Sequence, residues 1–332
     1  MAAKPPLHRP LMIPPATAPD FLARHGWDGA RIVPLAGDAS FRRYFRVHRG
    51  DATAVLMDAP PHLEDSRPFL AVGSTLDALG FSAPQPLAVD LEAGLILLED
   101  FGDARVGPVL AGDPSRERGV YDAAVDILAA LHDHPAGDVA RYETAELLRE
   151  ARLFPDWYLP AVGVAEAPGY DTAWAGLWPA VLAGPPVLTL RDYHADNLMI
   201  IDRPGLRGLG LLDFQDALAG HPAYDLVSLL QDVRRVVSPA LEAAMLDRYL
   251  RSRRIDADAF CTAYDILGAQ RNIKILGVFT RLAVRDGKAA YLDFYPRLWE
   301  LVTRNLAAPA LAPVANWFAA HVPAAARAGV PK

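Results

Sequence analysis

Cysteine is nearly absent: Cys261 is the single one in 332 residues. It has no partner for an internal disulfide and no second thiol for a metal cluster, which fits a reducing compartment and a small core residue. Basic runs are missing as well. Lys and Arg number 33 against 40 Asp and Glu, a net charge of −7. A nucleic-acid backbone or an anionic membrane would meet a repulsive surface. Apolar runs are broken well short of the roughly 18 residues a membrane helix needs, as where Leu95 to Leu98 gives way to Glu99 and Asp100. Prolines interrupt the first twenty residues, MAAKPPLHRPLMIPPATAPD, so no signal h-region can form and the segment reads as an extended lead-in. No repeat of fixed period is visible. The expectation is a soluble, cytoplasmic monomer that binds neither nucleic acid nor membrane.

What is present is an ordinary globular mix, 52% hydrophobic and 22% charged, with length enough for two lobes. From Arg31 to Asp58 apolar stretches alternate with turn residues, which predicts a small antiparallel sheet. Residues 64–80 place Phe69, Val72, Leu76 and Leu79 at helical spacing, ending at Gly80. Pro86 to Val89 and Leu95 to Leu98 read as two further strands. Beyond Gly102 helical periodicities dominate, notably Val120 to His132, Pro239 to Leu250 and a tail helix around Ala315 to His321. The predicted class is α+β: a lead-in over 1–20, a sheet lobe with one helix over 21–98, a hinge at 99–103 and a helical lobe over 104–332.

One strand-rich island, Val187 to Asp216, interrupts the helical half. Leu198 to Ile201 and Leu209 to Leu212 form a hairpin candidate about the turn Asp202-Arg203-Pro204-Gly205. Pairing symmetric about Gly205 sets Asn197 opposite Asp213, where both side chains could share one ion. An amide and a carboxylate, with other positions left to water and phosphate, suit Mg²⁺. Asp192 enters the same strand and can face that ion as a base or orienting acceptor for a substrate hydroxyl.

The spacing of Leu190-Arg191-Asp192 to Asn197 and of Asp213-Phe214-Gln215 resembles the catalytic loop and metal motif of the protein-kinase-like fold. Asp213-Phe214-Gln215-Asp216-Ala217, Gly220 to Leu226, Leu131-His132 and Leu98-Glu99-Asp100 bring it closer to the aminoglycoside and small-molecule phosphotransferases. Within these, the strings from Ser40 to Arg46, Met57 to Pro61 and Arg191 to His194, with residues 270–292, resemble the bacterial N-acetylmuramate/N-acetylglucosamine kinases.

That resemblance implies a protein-kinase-like bilobal fold and an ATP- and Mg²⁺-dependent transfer to the anomeric hydroxyl of an amino sugar in cell-wall recycling. It implies that Asp192 is catalytic, that Asn197 and Asp213 hold the metal, and that Asp225, in the first turn of a helix after Pro222, braces the catalytic loop. Gly37, Asp38, Ser40 and Phe41 would border the phosphates, while Glu99 and Phe101 would meet adenine through their backbone at the hinge. Candidate acceptor contacts are His194 and Asp216, with Arg271 and Lys274 for a lactyl carboxylate. Phe154, Trp157 and Tyr158 read as core more readily than as a sugar platform, and Arg281 with Arg285 as a solvated basic face. Two positions depart from the pattern: Met57 where the family has a strand lysine, and Leu190 where it has a histidine. Arg43, ahead of Arg46, is the expected substitute for that lysine. Another hydroxyl acceptor (an aminoglycoside, choline or homoserine) or a nucleotide-binding pseudokinase remains open at this point.

Overall fold

Alternating residues in Arg43–Arg49 and Ala52–Asp58 give each segment two faces, and the two-residue link Gly50-Asp51 folds them into a hairpin. The protein, seen here as a computed structural model, is described over residues 13–35, 41–164 and 167–329. A five-stranded antiparallel sheet runs in the order β1 (Arg31–Pro34), β2 (Arg43–Arg49), β3 (Ala52–Asp58), β5 (Leu95–Glu99), β4 (Pro86–Asp90). One face presents Phe45, Val47, Leu56, Leu95 and Leu97 to Phe21 and Leu22 of α1 (Ala18–Arg24). The other carries Met57, Ile96 and Leu98 and shares a core with Phe69, Val72 and Leu76 of α2 (Arg67–Ala78). Helix α1 begins inside the segment expected to be an extended lead-in. Pro19 sits in its first turn, where a missing N–H costs nothing, so the sheet has a helix on each face instead of one.

After the sheet come α3 (Val106–Gly112), α4 (Glu117–Leu131) and α5 (Thr144–Ala151), then helices Ala223–Leu230, Pro239–Arg253, Ala257–Val284, Tyr295–Leu306 and Ala312–His321. Ala257–Val284 is the axle of this region and packs against Ala223–Leu230, Tyr295–Leu306 and the turn Phe154–Tyr158. Phe154 and Tyr158 are fully buried and stacked at 5.0 Å, whereas Trp157 is half-buried. The α+β organisation read from the sequence, a five-stranded antiparallel sheet followed by a mainly helical region, is the one the chain adopts. Among the described residues no helix is long and apolar enough to cross a membrane.

Two small sheets are embedded in the helical region: β6 (Val187–Thr189) with β9 (Leu218–Gly220), and β7 (Leu198–Ile200) with β8 (Leu209–Leu211). The β7–β8 register differs from the expected one by one residue. Leu198 pairs with Leu211 and Ile200 with Leu209, so Asn197 stands opposite Leu212, whose N–H it receives at 3.0 Å. A tight helical turn at Gly205–Gly208 shifts the centre of the loop. A slip of one residue ordinarily sends a side chain to the other face. Asp213, however, leaves the strand with a left-handed φ of 59°, and its carboxylate still comes within 3.3 Å of the Asn197 amide.

The close approach of helix Ala257–Val284 to the chain at Leu153 generates a stability test. A Cβ at Gly277 would stand 2.2 Å from the Leu153 carbonyl oxygen. Gly277→Ala should therefore cost about 1–3 kcal/mol, the usual range for overpacking. Gly119→Ala in α4, where a Cβ meets nothing within 4 Å, should instead gain up to about 1 kcal/mol from helix propensity. Urea unfolding midpoints moving in opposite directions for the two variants is the expected result.

Candidate active site

The loop between β6 and β7 is held from behind by one carboxylate. Asp225, fully buried in the first turn of helix Ala223–Leu230, accepts the N–H groups of Leu190 and Arg191, each at 2.7 Å. Arg191 takes a left-handed φ of 71°, and that reversal turns the chain toward Asp192. Burial pushes the Asp225 pKa up to about 7 against the two N–H donors. The Arg191 guanidinium runs the other way, to Glu150, where Lys274 Nζ (2.6 Å) and the Tyr142 hydroxyl also meet. Burial works to raise the Glu150 pKa, but Lys274 and Arg191 outweigh it and hold it at about 2.

Asp192 lies at the surface end of this loop with its side chain 46% exposed. Burial of its surroundings works to raise its pKa; Arg271, His194, Lys274 and Arg191 more than offset that, and the carboxylate stays below its ordinary value. Arg271 is the near cation, Nη2 at 3.8 Å from Asp192 Oδ1 while donating to Ser228 Oγ at 2.8 Å. Asn197 closes the loop on itself: Nδ2 donates to the Asp192 carbonyl at 3.0 Å and reaches Asp213 Oδ2 at 3.3 Å. With the nitrogen so used, Oδ1 is the oxygen the amide can offer a cation. Gln215 donates to Asp213 Oδ1 at 2.8 Å and bridges to Asp216 Oδ2 at 3.3 Å. Opposite them, Arg42 brings Nη2 to 3.8 Å from Asp213 Oδ1. Among the described residues no three His, Cys, Asp or Glu side chains converge as a metal cage. One carboxylate and one amide oxygen fit a hard cation that takes its other ligands from phosphate and water.

The remaining predicted residues fall into three groups. Gly37, Asp38 and Ser40 lie outside the described residues, and Phe41 beside them is exposed. Near the cleft, Phe101 rests its ring against Gly210, and Glu99 pairs with Arg203 and gives its N–H to the Gln85 carbonyl at 2.8 Å, so that N–H is not open to an adenine. Asp216 is exposed at the rim. Three expectations are corrected. Arg43 follows Phe45 and Val47 onto the α1 face, where its Nε donates to Asp58 at 2.7 Å, and does not stand in for the strand lysine. Lys274 is spent inside on Glu150 and the Tyr224 hydroxyl, and does not face an acceptor. His194 is 4% exposed and directs Nε2 to Asn197 Nδ2 and Arg234 Nη1, both at 3.4 Å, so it backs the amide and does not reach toward a substrate.

Arg42, Glu64, Glu150, Gln215 and Arg234 were not singled out from the sequence. Arg42 was the readable one, since alternation puts it with Tyr44 and Arg46 and opposite Phe45. A cavity of about 460 Å³ bounded by Tyr142, Leu182, Pro186 and His221 lies beside β6 and β9, and neither Asp192, Asn197 nor Asp213 lines it.

Residues 31–261 match the phosphotransferase enzyme family. The chain belongs to that family. This phosphotransferase is 39% identical to the N-acetylmuramate/N-acetylglucosamine kinase of Caulobacter vibrioides, over 92% of its own chain and 96% of that protein. It is 37% identical to the Pseudomonas aeruginosa enzyme of the same name, over 87% and 88% of the two chains. The resemblance read from the sequence strings is thereby borne out. Among solved structures, choline kinase LicA from Streptococcus pneumoniae superimposes with a TM-score of 0.59 at 14% identity, covering 82% of this chain and 93% of that one. Macrolide 2'-phosphotransferase MphH from Brachybacterium faecium does so with a TM-score of 0.54 at 16% identity, covering 88% and 97%. These two establish the kinase-like fold alone. The protein is a kinase of the phosphotransferase family, whose members use a nucleotide.

Three histidines set how this phosphotransferase answers acid. Burial, with Arg253 and His221 for His132 and Arg234 for His194, lowers the pKa of both to about 3, and burial alone lowers His221 to about 4. An unfolded chain protonates each near 6.5. Their contribution to stability is therefore complete above about pH 6.5 and is lost as pH falls, by about 1.4 kcal/mol per unit for each. Asp225 has the opposite sign, its contribution being lost as pH rises toward about 7, and offsets one of the three. The Tm should drop between pH 7 and pH 5, with a shallower slope in His221→Gln; a flat or rising Tm on acidification would contradict this account.

Proposed function

We propose that the protein transfers the γ-phosphoryl group of ATP to the anomeric hydroxyl of N-acetylmuramate or N-acetylglucosamine, a step in cell-wall sugar recycling. What carries this reading is near-full-length similarity to kinases of that name joined to the Asn197 amide, which links the Asp192 backbone carbonyl to the Asp213 carboxylate. The nucleotide would lie between a sheet lobe over 21–98 and a helical lobe from 104, with 99–103 as hinge. There the Glu99 carbonyl and the Phe101 N–H would face adenine.

Asn197 Oδ1 and Asp213 would hold Mg²⁺, which when bound neutralises phosphate charge. Asp192 keeps its carboxylate ionised beside Arg271 and accepts the proton of the attacking hydroxyl. Arg271, held by Ser228, fixes the carboxylate's direction. Asp225 and Asn197 fix the backbone on either side of it. Positioning and charge neutralisation supply most of the catalysis in phosphoryl transfer, so few groups suffice.

Incubation with ATP, Mg²⁺ and each sugar should yield the sugar 1-phosphate. A 6-phosphate alone, no product, or faster ADP release with an aminoglycoside, choline or homoserine would overturn the acceptor assignment. Asp192→Asn removes the basic oxygen and keeps the shape, so turnover should fall about 10²–10⁴-fold with ATP affinity held within a few-fold. Asp213→Asn should weaken ATP–Mg²⁺ binding together with turnover. An Asp192→Asn enzyme within about threefold of the parent at saturating ATP would place the base elsewhere.

A further inference from the structure

Kinases of this general architecture hold the nucleotide's phosphates with a strand lysine that is itself paired to a glutamate on the neighbouring helix. The position where that lysine is expected carries Met57, fully buried on the α2 side of β3 and paired across the sheet with Tyr44. Two residues before Tyr44, and by alternation on the same side, is Arg42. Its side chain is 5% exposed, with Nε 3.5 Å from Glu64 Oε1 and Nη2 3.8 Å from Asp213 Oδ1. Glu64 lies three residues before Arg67, the first residue of α2. A buried cation from the sheet thus spans a carboxylate at the head of a helix and the carboxylate at the proposed metal position.

We infer that Arg42 is the cation that binds the nucleotide's phosphates in this enzyme, with Glu64 orienting it. Arg43 and Arg46, the nearest arginines of β2, pair with other carboxylates. Arg43 lies on the far face with Asp58, and Arg46 spans Asp100 and Asp103 at the hinge. A guanidinium suits the place for a physical reason. Its planar fork presents N–H groups along more than one edge, so one edge stays on Glu64 while another meets phosphate oxygens as a bidentate pair. Between nucleotides the same charge keeps Glu64 and Asp213 from facing each other uncompensated. The inference rests on membership of the phosphotransferase family and not on the identity of the acceptor.

The test is calorimetric titration with ATP–Mg²⁺, with ADP and with adenosine, in the absence of any acceptor. Arg42→Ala should weaken ATP and ADP by about tenfold or more and leave adenosine unchanged, because adenosine has no phosphate to lose. Arg42→Lys should recover part of that loss, and Glu64→Gln should weaken ADP several-fold while leaving adenosine unchanged. Met57→Lys on the Arg42→Ala background should restore part of the ADP affinity by returning a cation to the cleft side of β3. Where Arg42→Ala does not fold, Arg42→Gln and Arg42→Lys carry the comparison. Unchanged ADP affinity in a folded Arg42 variant, or equal losses for ADP and adenosine, would overturn the assignment. Failure of the amino sugars as acceptors would leave these measurements untouched.

Discussion

Everything that the loop between β6 and β7 does depends on Asp225 receiving the two N–H groups of Leu190 and Arg191. The left-handed turn at Arg191 is costly for a residue with a side chain, and two short hydrogen bonds to the Asp225 carboxyl group at its entrance hold it. That turn sends one side chain inward and the next outward. Arg191 goes to the buried Glu150, and Asp192 goes to solvent. Behind Asp225 stands His132, whose Nδ1 meets the Tyr249 hydroxyl at 2.7 Å and whose Nε2 faces the carboxylate at 4.0 Å. The carboxylate of the loop's anchor is thus walled by aromatic and aliphatic side chains, and the reactive carboxylate hangs from it.

A second constraint ties the sheet to this loop. Phe214, next to Asp213, is fully buried and stacks on Phe69 of α2 at 5.1 Å with planes 11° apart. Arg42 and Glu64 meet on the same side, so the proposed metal aspartate is held by aromatic packing from one side and by charge from another. Farther out, Arg203 links the β7–β8 turn to Glu99 and to Ser82, and Ser82 accepts the Leu211 N–H at 2.8 Å. The sheet and the helical region therefore share a continuous core under the cleft.

Much of this was legible in the sequence because local pattern carries it. Alternation in β2 and β3 and the spacing of Phe69, Val72 and Leu76 place sheet and helix correctly. The interval from Asp192 through Asn197 to Asp213 names the three residues that converge. What escaped is nonlocal or geometric. The β7–β8 register depends on the turn at Gly205–Gly208, which composition does not specify. Lys274 was read as facing a substrate because its partner, Glu150, comes from a helix 124 residues away. Arg43 was preferred over Arg46, and Arg42 not weighed, because alternation separates two faces without saying which one meets the cleft. Prolines before Phe21 suggested extended chain, although a helix tolerates proline in its first turn.

Charge within the site runs against charge on the whole chain. The protein carries −7 overall, yet Arg42 stands beside Asp213 and Arg271 beside Asp192, both arginines buried. A long polyanion must lay many phosphates along the acidic exterior to bring one to this pocket, and repulsion accumulates with every unit. A mononucleotide presents only its phosphate tail and meets the recessed cations at short range, where screening by salt is weak. Arginines sunk beneath an acidic exterior are an arrangement that favours a small anion over a polymeric one.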